Sequence, residues 1–170
     1  TVDGEPIPPV VPRGGSVLSR EIACETPNDA LNVDFAGLAT LQAYELDATE
    51  AQAGDALDLR LQWQVNDSTQ DDFAVFVQLI DPENPEVLVG SGDAPPRDNW
   101  YPTSRWVPGV CFDDVYTLRV SPDAESGEYR VYVGLYHIED GWRLNPSVAA
   151  GDADNVFASG YFLDETVTVR

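Results

Sequence analysis

The loop GDADN sets Asp152, Asp154 and Asn155 close together, and NDSTQDD does the same for Asn66, Asp67, Asp71 and Asp72. Carboxylate and amide oxygens are the ligands a hard cation takes, so either loop could hold calcium, and Asp152, Asp154 and Asn155 of the first are the candidate site. Neither spacing is that of an EF-hand, and acidic turns in so acidic a chain are ordinarily just solvated. Asn66-Asp67-Ser68 also fits the glycosylation acceptor pattern, a three-residue match of little weight. Covalent catalysis has less to work with. A nucleophile triad needs a histidine, and His137 is the only one, placed at a strand end beside a turn where it reads as a polar terminus. A catalytic zinc needs more nitrogen or sulfur ligands than one histidine and two cysteines supply, and no glycine-rich phosphate loop is present. Two carboxylates would suffice for a glycosidase, but with 30 acids in 170 residues the proximity of a pair carries little information. The expectation is a protein that is not an enzyme, with calcium its one candidate cofactor.

The aromatic residues offer binding chemistry instead. DNWYPTSRWVPG, residues 98 to 109, gathers Trp100, Tyr101 and Trp106 in a segment without regular periodicity. Such rings can form a platform for a flat ligand such as a sugar, or the underside of a long loop folded over one end of a core. The sequence leans to the second: Tyr101, Trp106 and Trp100 covering an open end. Tyr132, Tyr136 and Trp142 form another, outward-leaning group that would seek a partner if contiguous. These six residues are the candidate ligand or partner surface.

Charge narrows the partners. The net charge is −21, and all nine basic residues are arginine. That field repels phosphates, so nucleic acid and anionic membrane surfaces are excluded as expected partners. No apolar run reaches the length of a membrane-spanning helix, and nothing at Thr1 resembles a signal peptide. With no leader and no initiating methionine the chain is expected to be a processed protein or an excised domain, and its acidic, lysine-free composition fits a place outside the cell or on its surface. Cys24 and Cys111, the only cysteines, are either a disulfide, worth about 4–5 kcal/mol from chain entropy, or two buried thiols.

The elements that must position these groups are strands. In ALDLRLQWQV, Leu57, Leu59, Leu61, Trp63 and Val65 alternate with polar residues, the pattern of a half-buried strand. FAVFVQLI (73 to 80) is apolar on both faces, as a central strand would be. GEYRVYVGLYH (127 to 137) turns Tyr129, Val131, Val133 and Leu135 inward and Arg130, Tyr132 and Tyr136 outward. SVLSREIAC, LATLQAYEL, EVLVG, VYTLRV, WRL and VFASGYFLDETVTV read as further strands, the last as two segments or a bulged one. EDGW marks a hairpin turn. Tyr129 sits where immunoglobulin-like sandwiches place a tyrosine corner. Four prolines make EPIPPVVPR an extended arm. The spacing predicts an all-β, antiparallel β-sandwich, immunoglobulin-like or jelly-roll-like, of about eight to ten strands. Residues 1 to 15 form a proline-rich arm and residues 16 to 170 a single sandwich domain.

LQAYELD, AGDALDLRLQWQV, FAVFVQLID, WYPTSRWVPG, DDVYTLRV, SGEYRVYVGLYHIEDGWRL and ETVTV, in that order, resemble the extracytoplasmic C-terminal β-sandwich domain of bacterial, Chloroflexi-type membrane proteins of the dolichyl-phosphate-mannose mannosyltransferase-like class. The resemblance covers residues 38 to 169. Its most specific part is Tyr101 to Ser104 with Trp106, Pro108 and Gly109. The membrane helices and acidic transferase motifs of that class are absent, so the resemblance implies the sandwich and not the activity. Two functions follow as expectations. The first is self-association or association with another surface protein, as a structural subunit of a filament or envelope assembly, using Pro6, Ile7, Val10, Val11, Leu18 and Ile22 as an assembly arm. The alternative is a carbohydrate-binding accessory domain with its groove near Trp100, Tyr101 and Trp106.

Overall fold

Strict alternation in ALDLRLQWQV produces strand β4 (Ala56–Val65), whose leucines, Trp63 and Val65 are buried while the intervening side chains face solvent or are half covered. In the computed structural model, residues 31–148 and 150–170 are described, with 150–152 as backbone only. The assembly arm Pro6, Ile7, Val10 and Val11, the expected first strand with Leu18 and Ile22, and Cys24 lie outside the described residues. The remaining strands are β1 (Val33–Phe35), β2 (Ala39–Leu46), β3 (Glu50–Ala51), β5 (Phe73–Asp81), β6 (Asn84–Ser91), β7 (Cys111–Val120), β8 (Gly127–His137), β9 (Pro146–Ser147), β10 (Val156–Phe157) and β11 (Gly160–Val169). The all-β expectation holds, and no α-helix occurs among the described residues.

Hydrogen bonding links the strands in the order β10-β11-β8-β5-β6-β7-β4-β2-β1-β9. The chain curls between β6 and β7, where only Gly90↔Val120 and Ser91↔Arg119 pair. One half, β11-β8-β5-β6, therefore folds over the other, β7-β4-β2-β1, and both contribute to a single apolar core. Valines and leucines of β5 and β8 meet the leucines of β4, and Phe35 packs edge-on against Trp63 at 5.7 Å. β3 crosses over to pair in parallel with the end of β11. That is a departure from purely antiparallel pairing; the described residues form eleven strands, a number raised by two-residue pairings too short to leave a periodicity in the sequence.

The outer face of β5-β8-β11 carries a second, smaller cluster. Phe76, Ile80, Tyr132 and Phe162 are buried there, Tyr136 packs against them, and the Arg143 guanidinium lies 4.3 Å from the centre of the Phe76 ring. This explains why β5 is apolar on both faces. It also corrects the outward-leaning reading of Tyr132, which is buried with its hydroxyl donating to the Phe157 carbonyl. The rings lie flat because a Cβ on Gly134 would stand 2.3 Å from Phe76 and one on Gly160 2.2 Å from Tyr132. Tyr129 behaves as a tyrosine corner, its hydroxyl donating to the Glu125 carbonyl at 2.8 Å. The C-terminal segment shows both expected features: a β10–β11 hairpin, and a bulge between Phe162 and Thr166.

A candidate recognition surface at one end of the sandwich

β4 ends at Val65, β5 starts at Phe73 opposite His137, and β7 starts at Cys111 opposite Gln64. Antiparallel pairing therefore gathers three connections, residues 66–72, 92–110 and 138–145, at the same end. The long connection is tied to both halves. Its start pairs with β5 through Gly92, Ala94 and the carboxylate of Asp93, which accepts the Val77 N–H at 3.0 Å; its finish extends the β4 ladder through Gly109 and Val110. Half-burial pushes the Asp93 carboxyl above its ordinary range.

Asp71 and Asp72 are the hub that locks the three loops. Thr103, with 0% exposure, donates its hydroxyl to the Asp71 carbonyl at 2.7 Å and accepts the Phe73 N–H at 2.9 Å. The Asp72 carboxylate accepts the Ser104 N–H at 3.3 Å, and the Asp72 carbonyl accepts the Ile138 N–H at 3.0 Å. His137 stands between Asp71, at 3.6 Å, and Asp140, at 3.5 Å. Sequence reasoning considered the two aspartates only as calcium donors and passed over Thr103 as an anchor. A polar residue buried by a loop leaves no periodic signal.

The six expected surface aromatics separate into different roles. Trp106 is 3% exposed, donates its indole N–H to the Tyr101 carbonyl at 3.0 Å and packs edge-on against Phe112 at 5.5 Å. Tyr101, half-buried, meets Phe112 at 5.2 Å. These two form the underside of the lid. Trp100 does not join them: it is 86% exposed, because Asn99 before it has a left-handed backbone that turns the chain outward. Trp142 is 47% exposed, and its ring contacts are with His137 and Phe73 rather than with Tyr132 and Tyr136. One side of its ring is stacked on His137 (centroids 5.0 Å, planes 10° apart) and its edge meets Phe73. Of the eight exposed large apolar side chains among the described residues, four (Trp100, Val107, Ile138 and Trp142) sit on the long connection and the 138–145 connection. The loop end is thus where rigid backbone and exposed apolar area coincide.

The other candidate positions are elsewhere. Asn155 is engaged by its neighbours: its side-chain oxygen accepts from Arg130 at 2.9 Å and its amide donates to Asp164 at 2.8 Å, so that oxygen faces a guanidinium. Asp154 is exposed, and the side chain of Asp152 lies outside the described residues. Among the described residues no group of three histidine, cysteine, aspartate or glutamate side chains is arranged to hold a metal. No described helix is long and apolar enough to cross a membrane. Cys111 is fully buried at the start of β7.

No protein-family model matches the sequence, and none of the curated proteins does. Among solved structures, the crystal structure of the C-terminal domain of Wzt matches 85% of this chain and 80% of that domain, at a TM-score of 0.52 and 10% sequence identity, which is a likeness of fold.

Proposed function

We propose that this protein is a non-catalytic extracellular or cell-surface domain that binds carbohydrate at the loop end of its sandwich. The observation that supports this reading is Trp142, an indole backed on one side by His137, held at its edge by Phe73 and exposed on the rest of its surface. A half-exposed ring whose orientation is set before binding gives up little entropy when a flat apolar ligand face stacks on it. Asp71 and Asp140, which flank the His137 ring that backs it, supply acceptors for hydroxyl groups. The net charge of −21 favours neutral glycans over anionic ones. Titration calorimetry against neutral and anionic oligosaccharides tests the reading. Trp142→Ala and Trp100→Ala are each expected to weaken neutral-glycan binding at least tenfold, about 1.4 kcal/mol. Absence of binding to every oligosaccharide, or affinity unchanged in both variants, would overturn it. Assembly through the N-terminal arm is the competing reading, and it rests on the sequence. Polymers seen by light scattering and lost on removing residues 1–15 would favour it.

The proposal includes a Cys24–Cys111 disulfide, in keeping with secretion. Leu31 donates its N–H to the Gln42 carbonyl, which places it three strands from β7, about 14 Å at about 4.8 Å per strand. The chain from Cys24 to Leu31 can extend about 24 Å, so the bridge is within reach. Alkylation of the denatured protein is expected to label no thiol before reduction and both afterwards; two reactive thiols before reduction would exclude the bridge.

A further inference from the structure

The turn Pro96–Asn99, just before Trp100, holds three successive non-glycine residues in the left-handed region: Arg97 (φ 51°), Asp98 (φ 51°) and Asn99 (φ 72°). Each costs side-chain-bearing backbone roughly 1–2 kcal/mol, so something must hold them. The holding group is Asp114 of β7. It occupies an inward position between Phe112 and Tyr116, is 9% exposed, and accepts the Arg97 N–H at 2.7 Å on one oxygen and the Val115 N–H at 2.9 Å on the other. The Arg97 side chain completes the clasp by donating to the Asp113 carbonyl at 2.8 and 3.1 Å, with its guanidinium over Phe112.

Few charges compensate the buried carboxylate. From the turn, Arg97 is the cation beside it, while Asp98 adds negative charge nearby. From its own strand come the Tyr116 hydroxyl, whose ionisation burial pushes well upward, and Asp113, whose carboxylate points to Arg60 at 4.0 Å. Behind the Tyr116 hydroxyl stands the Trp63 indole N–H of β4, and both are buried without a hydrogen bond of full geometry. Burial, outweighing the Arg97 and Val115 N–H donors and the nearby Tyr116 hydroxyl, raises the carboxyl from 3.8 to about 6.

We infer that Asp114 is the positioning residue for Trp100, its buried carboxyl clasping the strained turn through the Arg97 N–H with a grip that is firmest in acid. The sign follows from linkage: the closed turn binds the proton more tightly than a hydrated carboxylate would, so closure is favoured fully below about pH 4, erodes from about pH 4 to 6, and is lowest above that. Over the whole window the opening equilibrium shifts roughly hundredfold. The opening and its pH dependence stand apart from ligand binding; only the consequence that Trp100 is best presented in acid rests on the glycan reading.

Amide hydrogen exchange at Arg97 and Trp100, corrected for intrinsic rates and referenced to the core amide of Val133, tests the clasp without any ligand. Protection at these two amides is expected to fall at least tenfold between pH 4.5 and pH 7 in the parent chain and to be independent of pH in Asp114→Asn. A carbon-13 titration of the Asp114 carboxyl gives a second reading, with its midpoint near 6. Unchanged protection in the parent, the same pH dependence in Asp114→Asn, or an Asp114 midpoint near the ordinary 3.8 would each overturn the inference.

Discussion

Trp106→Ala is expected to destabilise the fold by about 3–5 kcal/mol, while Trp100→Ala, six residues earlier in the same connection, leaves stability within about 0.5 kcal/mol of the parent. The two residues are alike in type and opposite in environment. Trp106 packs against both Tyr101 and Phe112, which also meet each other, and its indole N–H satisfies the Tyr101 carbonyl. Truncation removes a large apolar area, leaves a cavity beneath a loop that bridges both halves, and strands a polar group. Trp100, at 86% exposure, has little packing to lose. Equilibrium unfolding in urea measures both. Equal stabilities for the two variants would show that the connection is not a lid.

Thr103→Val is expected to cost about 2–4 kcal/mol, because valine keeps the shape and deletes the hydroxyl that serves two backbone groups. With it gone, the Phe73 N–H loses its acceptor in a buried position and the part-buried Asp71 carbonyl loses its donor. Thr103→Ser keeps the hydroxyl and is expected to retain most of the stability, which separates the hydrogen bonds from packing. Loss of this anchor should also unsettle Asp72, which holds Ser104 and the Ile138 N–H, and so raise exchange across residues 66–72 and 138–142. A Thr103→Val protein as stable as the parent would remove Thr103 from the hub.

Long strands were legible because alternation with period two records which face is buried. FAVFVQLI announced burial on both faces, yet what covers its outer face depended on Tyr132, Phe162 and Arg143, which come from distant segments. The same distance defeated the outward reading of Tyr132: a residue can alternate away from the main core and still be buried by a later loop. Calcium chemistry at Asn155 was reasoned from neighbours in sequence, whereas the group that engages its oxygen is Arg130, 25 positions away.

The sequence by itself determined the all-β class, the identity of the main strands, the tyrosine corner at Tyr129 and the concentration of aromatic side chains in residues 98–109, since each is a local pattern or a local turn. Only the tertiary structure decided that Trp106 and Tyr101 face inward while Trp100 and Trp142 face out, that Thr103 and Asp72 lock three loops at one end, and that Asp114 is buried beneath a strained turn. Those outcomes depend on which strands become neighbours across the curled sheet. Pairing between residues far apart in the chain is set by the packing of the whole core, and no short stretch of sequence records it.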